Sequence, residues 1–138
     1  VDDTLNLSPG YYQWLTVDSQ GKVTMMSQLN GEKCVACRSD SLHVTDQDVA
    51  ELQPQIPAWQ IIEQSGFRRL QRVFRFVDFS DALAFTDTVG ALAESEGHHP
   101  RIVTEWGWVT VEWWTHKIKG LHRNDFIMAA KTDLMYNN

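Results

Sequence analysis

Arg101-Ile102-Val103-Thr104-Glu105-Trp106-Gly107-Trp108-Val109-Thr110-Val111-Glu112-Trp113-Trp114-Thr115 decides the fold. Two β-favouring runs, Arg101–Trp106 and Trp108–Thr115, flank a single glycine. Strands joined that tightly can only be antiparallel, because parallel neighbours need a long crossover. A second pair of runs lies upstream: Trp59–Ser65 and Phe67–Val77 flank Gly66 and read as another hairpin. Its alternation is imperfect. Leu70, Phe74 and Phe76 share parity with Arg72, which must therefore snorkel or sit near an edge.

Helical signals fill the gaps between the hairpins. Thr45-Asp46-Gln47-Asp48 has the layout of a capping box, and Val49, Leu52 and Ile56 follow at helical spacing until Pro57. Ser80 is the expected cap of the next helix, with Asp81 in its first turn. Ala82, Phe85, Val89 and Leu92 form its apolar stripe, broadened by Leu83 and Ala93, and Gly97 suits its end. A last helix is predicted from about Arg123, with Phe126, Ile127, Ala130 and Leu134 on one side. The order is α-β-β-α-β-β-α. Three amphipathic helices on one face of a four-stranded antiparallel sheet make a two-layer α+β domain.

The chain of 138 residues is the size of one domain, and 43% apolar residues suffice to fill a core. A net charge of −6 disfavours non-specific nucleic-acid binding, which rests on basic residues neutralising phosphates. No apolar run reaches the ~20 residues of a membrane span. Val1-Asp2-Asp3-Thr4 lacks the layout of a signal peptide. Two cysteines cannot make a disulfide framework. A soluble cytoplasmic protein is expected. Residues 1–33 read as an N-terminal extension, and residues 34–138 as the globular domain. Tyr12–Val17 and Lys22–Met26 favour a small hairpin within the extension. Equally, everything before Met25 or Met26 reads as an appended stretch, because Met26-Ser27-Gln28 resembles a natural start.

Three of the five histidines, His98, His99 and His116, fall around the downstream hairpin. His98 stands nine residues before Gly107 and His116 nine after it, so a hairpin centred on that glycine sets them opposite one another. Pro100 biases His99 towards an extended conformation, in which His98 and His99 point to opposite sides and do different jobs. Imidazoles titrate near ~6.5 and suit proton transfer at neutral pH. Glu94, four residues before His98, would share its helical face and could orient it. On spacing alone the cluster is also readable as a satisfied polar group without catalysis. A metal site is the weaker reading, since His99 faces away from His98 and a third ligand is wanting. Cys34-Val35-Ala36-Cys37 is a lone C-x-x-C with neither a second pair nor a redox-type context, and reads as incidental thiols in a loop.

Glu94-x-x-x-His98-His99-Pro100, then Trp106, His116 and Asp125 at their intervals, resembles the signature of the pterin-4a-carbinolamine dehydratases. These are also known as dimerisation cofactors of a homeodomain transcription factor. Trp59, Phe76-x-Asp78-Phe79, Thr115-His116 and Gly120-Leu121-x-x-x-Asp125 extend the similarity from about Thr45 to Asp133. The resemblance implies the α+β fold, and dehydration of 4a-hydroxytetrahydrobiopterin to quinonoid dihydrobiopterin in recycling the cofactor of aromatic amino acid hydroxylases. It implies that His98, His99 and His116 line the pterin pocket as acid, base and hydrogen-bonding groups, with Glu94 as a supporting carboxylate; the division expected here gives proton transfer to His98 and His116 and positioning to His99. Pro100, Thr115, Lys117 and Ile118 would complete the substrate-binding surface. No cofactor and no metal are expected, because the elimination needs only proton transfers. Trp106 is expected to pack, and Asp125 to cap the last helix behind His122, where many relatives place a serine. Trp108, Trp113 and Trp114 read as core or interface packing, though one could border the pterin ring. A homodimer or homotetramer is expected from the open sheet edges. The alternative is a non-enzymatic dimerisation, coactivator or assembly protein on the same fold, although relatives serving only in the assembly of other enzymes would be expected to lose the histidines.

Overall fold

The computed structural model describes residues 15–17, 20, 23–25 and 28–137. Val1-Asp2-Asp3-Thr4 and Met26-Ser27 lie outside these residues, as do parts of both predicted N-terminal runs. Within them, β1 (Leu15–Val17) pairs antiparallel with β2 (Val23–Met25).

The remaining elements run α1 (Asp46–Leu52), β3 (Gln60–Gln64), β4 (Phe67–Arg75), α2 (Phe79–Glu96), β5 (Arg101–Glu105), β6 (Trp108–Trp113) and α3 (Arg123–Tyr136). This is the predicted order. The four strands form one antiparallel sheet in the order β3-β4-β6-β5, so β4 and β6 are central and β3 and β5 are edges. Leu70 pairs with Trp113, Arg72 with Val111 and Phe74 with Val109, which sets one apolar face against the helices. Trp59, Leu70, Phe74, Val89, Val109, Val111, Trp113 and Phe126 are all essentially buried there.

Arg72 snorkels rather than lying at an edge. Its guanidinium crosses the Phe74 ring and pairs with Asp133, which also accepts from the Trp59 indole N–H. On the opposite face Glu112 is 2% exposed. It accepts from Arg69 Nη1 at 3.1 Å, Gln71 Nε2 at 3.0 Å and Arg101 Nη1 at 3.2 Å, which offsets the cost of taking the carboxylate out of water.

Several local expectations are corrected. The cap of α2 is Asp78, not Ser80: Asp78 has extended backbone and accepts from the Asp81 N–H at 2.8 Å. Its carboxylate sits one position before the first helical residue, where an orphan donor needs it. Leu83 and Leu134 are 45% and 44% exposed, outside their helices' apolar stripes. Trp106 is 68% exposed at the hairpin tip rather than packed. Leu29, assigned by sequence to the extension, is fully buried, and its N–H donates to Gln55 Oε1 at 3.0 Å. The packed unit therefore begins ahead of residue 34. Among the described residues no helix is long and apolar enough to cross a membrane.

Candidate active site

The downstream hairpin closes with a two-residue turn, Trp106-Gly107, and Gly107 has φ of +81°. Such a turn needs the left-handed region that glycine enters freely. Glu105 therefore faces Trp108 and Arg101 faces Glu112. This register differs by one from a hairpin centred on Gly107. Carried outward, it sets His98 level with Thr115 rather than with His116. The histidines still converge, because α2 stops at Glu96 and Gly97 turns the chain with φ of +64°. Gly97 and His98 donate back to carbonyls of the last helical turn, which fixes the direction of the histidine pair.

His98, His99 and His116 line one cavity of about 610 Å³, together with Thr115, Lys117 and Asn124. That volume lies in the range of small-molecule sites. His98 is 8% exposed, and its ring stacks on Trp113 with a 12° interplanar angle. Nε2 lies 2.6 Å from Asp125 Oδ1. Asp125 is fully buried, and its other oxygen accepts from Thr115 Oγ1 at 2.8 Å and His122 N at 2.9 Å. A buried carboxylate holding three donors is satisfied, and since it only accepts, the proton of the shared bond sits on His98 Nε2.

Asp125 thus does more than the capping role read from the sequence. It caps α3 and fixes His98 with the same side chain. His122 proves a working cap: Nδ1 accepts from Asn124 N at 3.0 Å, completing a capping box with Asp125. Burial holds the His122 imidazole below its ordinary pKa, with His98 acting in the same direction and Asp125 opposing.

Glu94 does not orient His98. Because α2 ends at Glu96, His98 is off the helix and the four-residue spacing no longer applies. Glu94 instead hydrogen-bonds Nε2 of His99, an exposed contact at 78% and 58% side-chain accessibility that adds little stability. His98 and His99 do point different ways, one inward and one outward. His116 is exposed, stacks on Trp114 at 4.5 Å between centroids, and donates from Nε2 to the His99 carbonyl at 3.2 Å. A carbonyl can only accept, so in the neutral ring Nδ1 carries the free lone pair.

Thr115 and Lys117 join the cavity lining, whereas Glu94, Pro100 and Ile118 are outside it. Ile118 lies in the turn beyond, where its carbonyl contacts His43 Nε2 at 2.9 Å. That turn carries His116 and closes through Thr115 N to Gly120 O at 2.8 Å. A Cβ on Gly120 would lie 2.7 Å from the exposed His43 ring, so a side chain there requires that imidazole to shift. Segment 34–37 also lines the cavity, which sequence reasoning missed. Burial, helped by Glu96 and Asp125, pushes the Cys34 thiol up to about 12, the reverse of a reactive cysteine. Among the described residues no group of three His, Cys, Asp or Glu side chains could hold a metal ion.

Residues 43–135 match the family model described as Pterin 4 alpha carbinolamine dehydratase. A protein of Nitrosococcus oceani, named "Putative pterin-4-alpha-carbinolamine dehydratase", is 59% identical over 108 residues, covering 78% of this chain and 96% of the relative. Similarly named proteins of Gloeobacter violaceus and Syntrophotalea carbinolica are 60% and 57% identical, covering 76% and 80% of this chain and 90% and 98% of their own. The crystal structure of a transcriptional coactivator/pterin dehydratase from Brucella melitensis is similar at a TM-score of 0.62 and 28% identity, over 69% of this chain and 99% of that one. A pterin dehydratase-like protein identified as a RuBisCO assembly factor in the alpha-carboxysome has a TM-score of 0.50 and 23% identity, over 59% of this chain and 92% of its own, and shares the fold alone. By the match over residues 43–135 and the near-full-length relatives, this chain belongs to the pterin-4-alpha-carbinolamine dehydratase family.

Proposed function

We propose that this protein dehydrates 4a-hydroxytetrahydrobiopterin to quinonoid dihydrobiopterin and water. The observation that carries the reading is the convergence of His98, His99 and His116 on one cavity, with a buried carboxylate holding His98. The reaction breaks the C4a–O bond as the hydroxyl leaves with an added proton. A proton leaves N5, and its electron pair forms the C4a=N5 bond. Atoms and electrons balance without an oxidant. A positioned acid or base gives ~10²–10⁴-fold in such a step. In this reading His98 and His116 transfer the protons, and His99, paired with Glu94, positions the ring system.

The reaction places the protein in the recycling of the pterin cofactor of an aromatic amino acid hydroxylase. It would act as a homodimer or homotetramer built through the open edges β3 and β5. The test is decay of the 4a-hydroxy species, followed by absorbance with and without a chelator. His98→Ala and His116→Ala should each lower kcat more than they raise KM. A pure KM effect in both, or no turnover by the wild-type chain, would overturn the proposal.

A further inference from the structure

Cys34-Val35-Ala36-Cys37 has no hydrogen-bonded secondary structure of its own, and it lies ahead of the part of the chain that matches the family model. Its path is set from outside, by side chains of α2, of α3 and of the turn after β6. Glu96, at the end of α2, accepts from Cys34 N at 2.9 Å. Asn124, in the first turn of α3 and 1% exposed, accepts from Val35 N at 3.1 Å and donates to Val35 O at 2.8 Å. The same amide nitrogen lies 3.0 Å from Cys37 Sγ. Lys117, next to His116, donates from Nζ to Cys37 O at 3.0 Å.

A segment without its own ladder gains a defined conformation only from such clips. These clips come from residues that flank the histidines and the partner carboxylate of His98: Glu96 is two positions before His98, Lys117 follows His116, and Asn124 precedes Asp125. All four residues of the segment border the histidine-lined cavity. Burial holds Cys34 as a neutral thiol, the reverse of a reactive cysteine.

We infer that segment 34–37 is a wall of the pterin site and that Asn124 is its positioning residue, setting substrate affinity without taking part in proton transfer. The inference rests on the proposed dehydratase reading. A bicyclic ring entering the cavity would contact this wall, and the Asn124 amide reads the backbone of Val35 on both its donor and its acceptor side. Asn124→Asp keeps the acceptor for Val35 N but has no N–H for Val35 O or Cys37, so it releases part of the wall at nearly constant volume.

Two measurements on the full chain test this. The two cysteines give two alkylation sites, resolved by peptide mass after iodoacetamide treatment. Saturating 7,8-dihydrobiopterin, with its binding followed separately by tryptophan fluorescence, should slow alkylation of Cys37 at least ~5-fold. Asn124→Asp should raise KM about 10-fold, with kcat within ~3-fold, and should speed Cys37 alkylation in the free protein. Pterin that binds while Cys37 alkylation is unchanged, or a variant that loses kcat at constant KM, would overturn the wall and leave the dehydratase reading standing. Absence of pterin binding to the wild-type chain would overturn both.

Discussion

Replacing Asp125 by Asn isolates the link between the buried carboxylate and His98. One oxygen of Asp125 accepts from Thr115 and His122, and the other faces His98 Nε2 at 2.6 Å. The amide oxygen of Asn would keep the two-donor position, because losing both bonds costs more than losing one. Its NH₂ group would then point at Nε2. Two donors cannot share a bond, so His98 would move its proton to Nδ1 and accept at Nε2. The ring stays stacked on Trp113 while its tautomer inverts. Where a histidine acts as base, the same swap behind it costs up to ~10⁴-fold in kcat. General acid–base assistance of ~10²–10⁴-fold sets the scale here. The substituted amide retains the cap of α3, so the stability loss should stay near the ~1–2 kcal/mol between a charge-assisted and a neutral bond. We expect kcat for the 4a-hydroxy species to fall ~100-fold or more, with KM within ~3-fold and a cooperative unfolding transition retained. A folded Asp125→Asn protein turning over within ~3-fold of wild type would refute the role given to His98.

Three further outcomes follow from packing and charge. Gly120→Ala brings a methyl group to 2.7 Å from the exposed His43 ring, so the ring must shift and give up its contact with the Ile118 carbonyl, at ~1 kcal/mol in denaturant unfolding; unchanged stability would show that the contact contributes nothing. Glu112→Ala leaves the buried Arg69 guanidinium without its carboxylate and should cost ~3 kcal/mol or more, whereas a loss below ~1 kcal/mol would mean that water replaces the pair. The His122 imidazole has a folded-state pKa below its ordinary 6.5, chiefly through burial. The unfolded chain therefore binds the proton first, and this contribution to stability is present above ~6.5 and declines as pH falls below it. The urea midpoint should drop between pH 7.5 and 5.5, and His122→Ser, a cap that does not titrate, should flatten part of that slope; an equal slope in both proteins would rule the cap out as its source.

The periodic parts of the architecture were legible in the sequence. Ala82, Phe85, Val89 and Leu92 repeat at helical spacing and are all buried. Thr45 and Asp48 form the capping box that their spacing announces. These are local patterns, set by geometry within one or two turns. The register of the downstream hairpin was not, because it depends on whether Gly107 sits alone at the tip or shares a two-residue turn with Trp106. Ser80 and Asp78 are both good caps, and only backbone conformation chooses between them.

Within the site, the three histidines could be placed because they flank one hairpin. The partner of His98 could not, since Asp125 lies 27 residues away and its cap position already accounts for it. Glu94 was given to the wrong histidine because the helix was carried past Gly97, whose left-handed conformation ends it. The wall formed by segment 34–37 carries no periodic signal. Its hydrogen bonds reach 62 to 90 residues along the chain, to Glu96 and Asn124.

The most direct measurement is a crystal structure of the protein with 7,8-dihydrobiopterin bound. The account predicts the pterin ring inside the cavity lined by His98, His99 and His116, with its N5–C4a edge facing His98 and His116 and N5 within hydrogen-bonding reach of one of them. A ring bound outside that cavity, or inside it with both imidazoles turned away from its N5–C4a edge, would contradict the account.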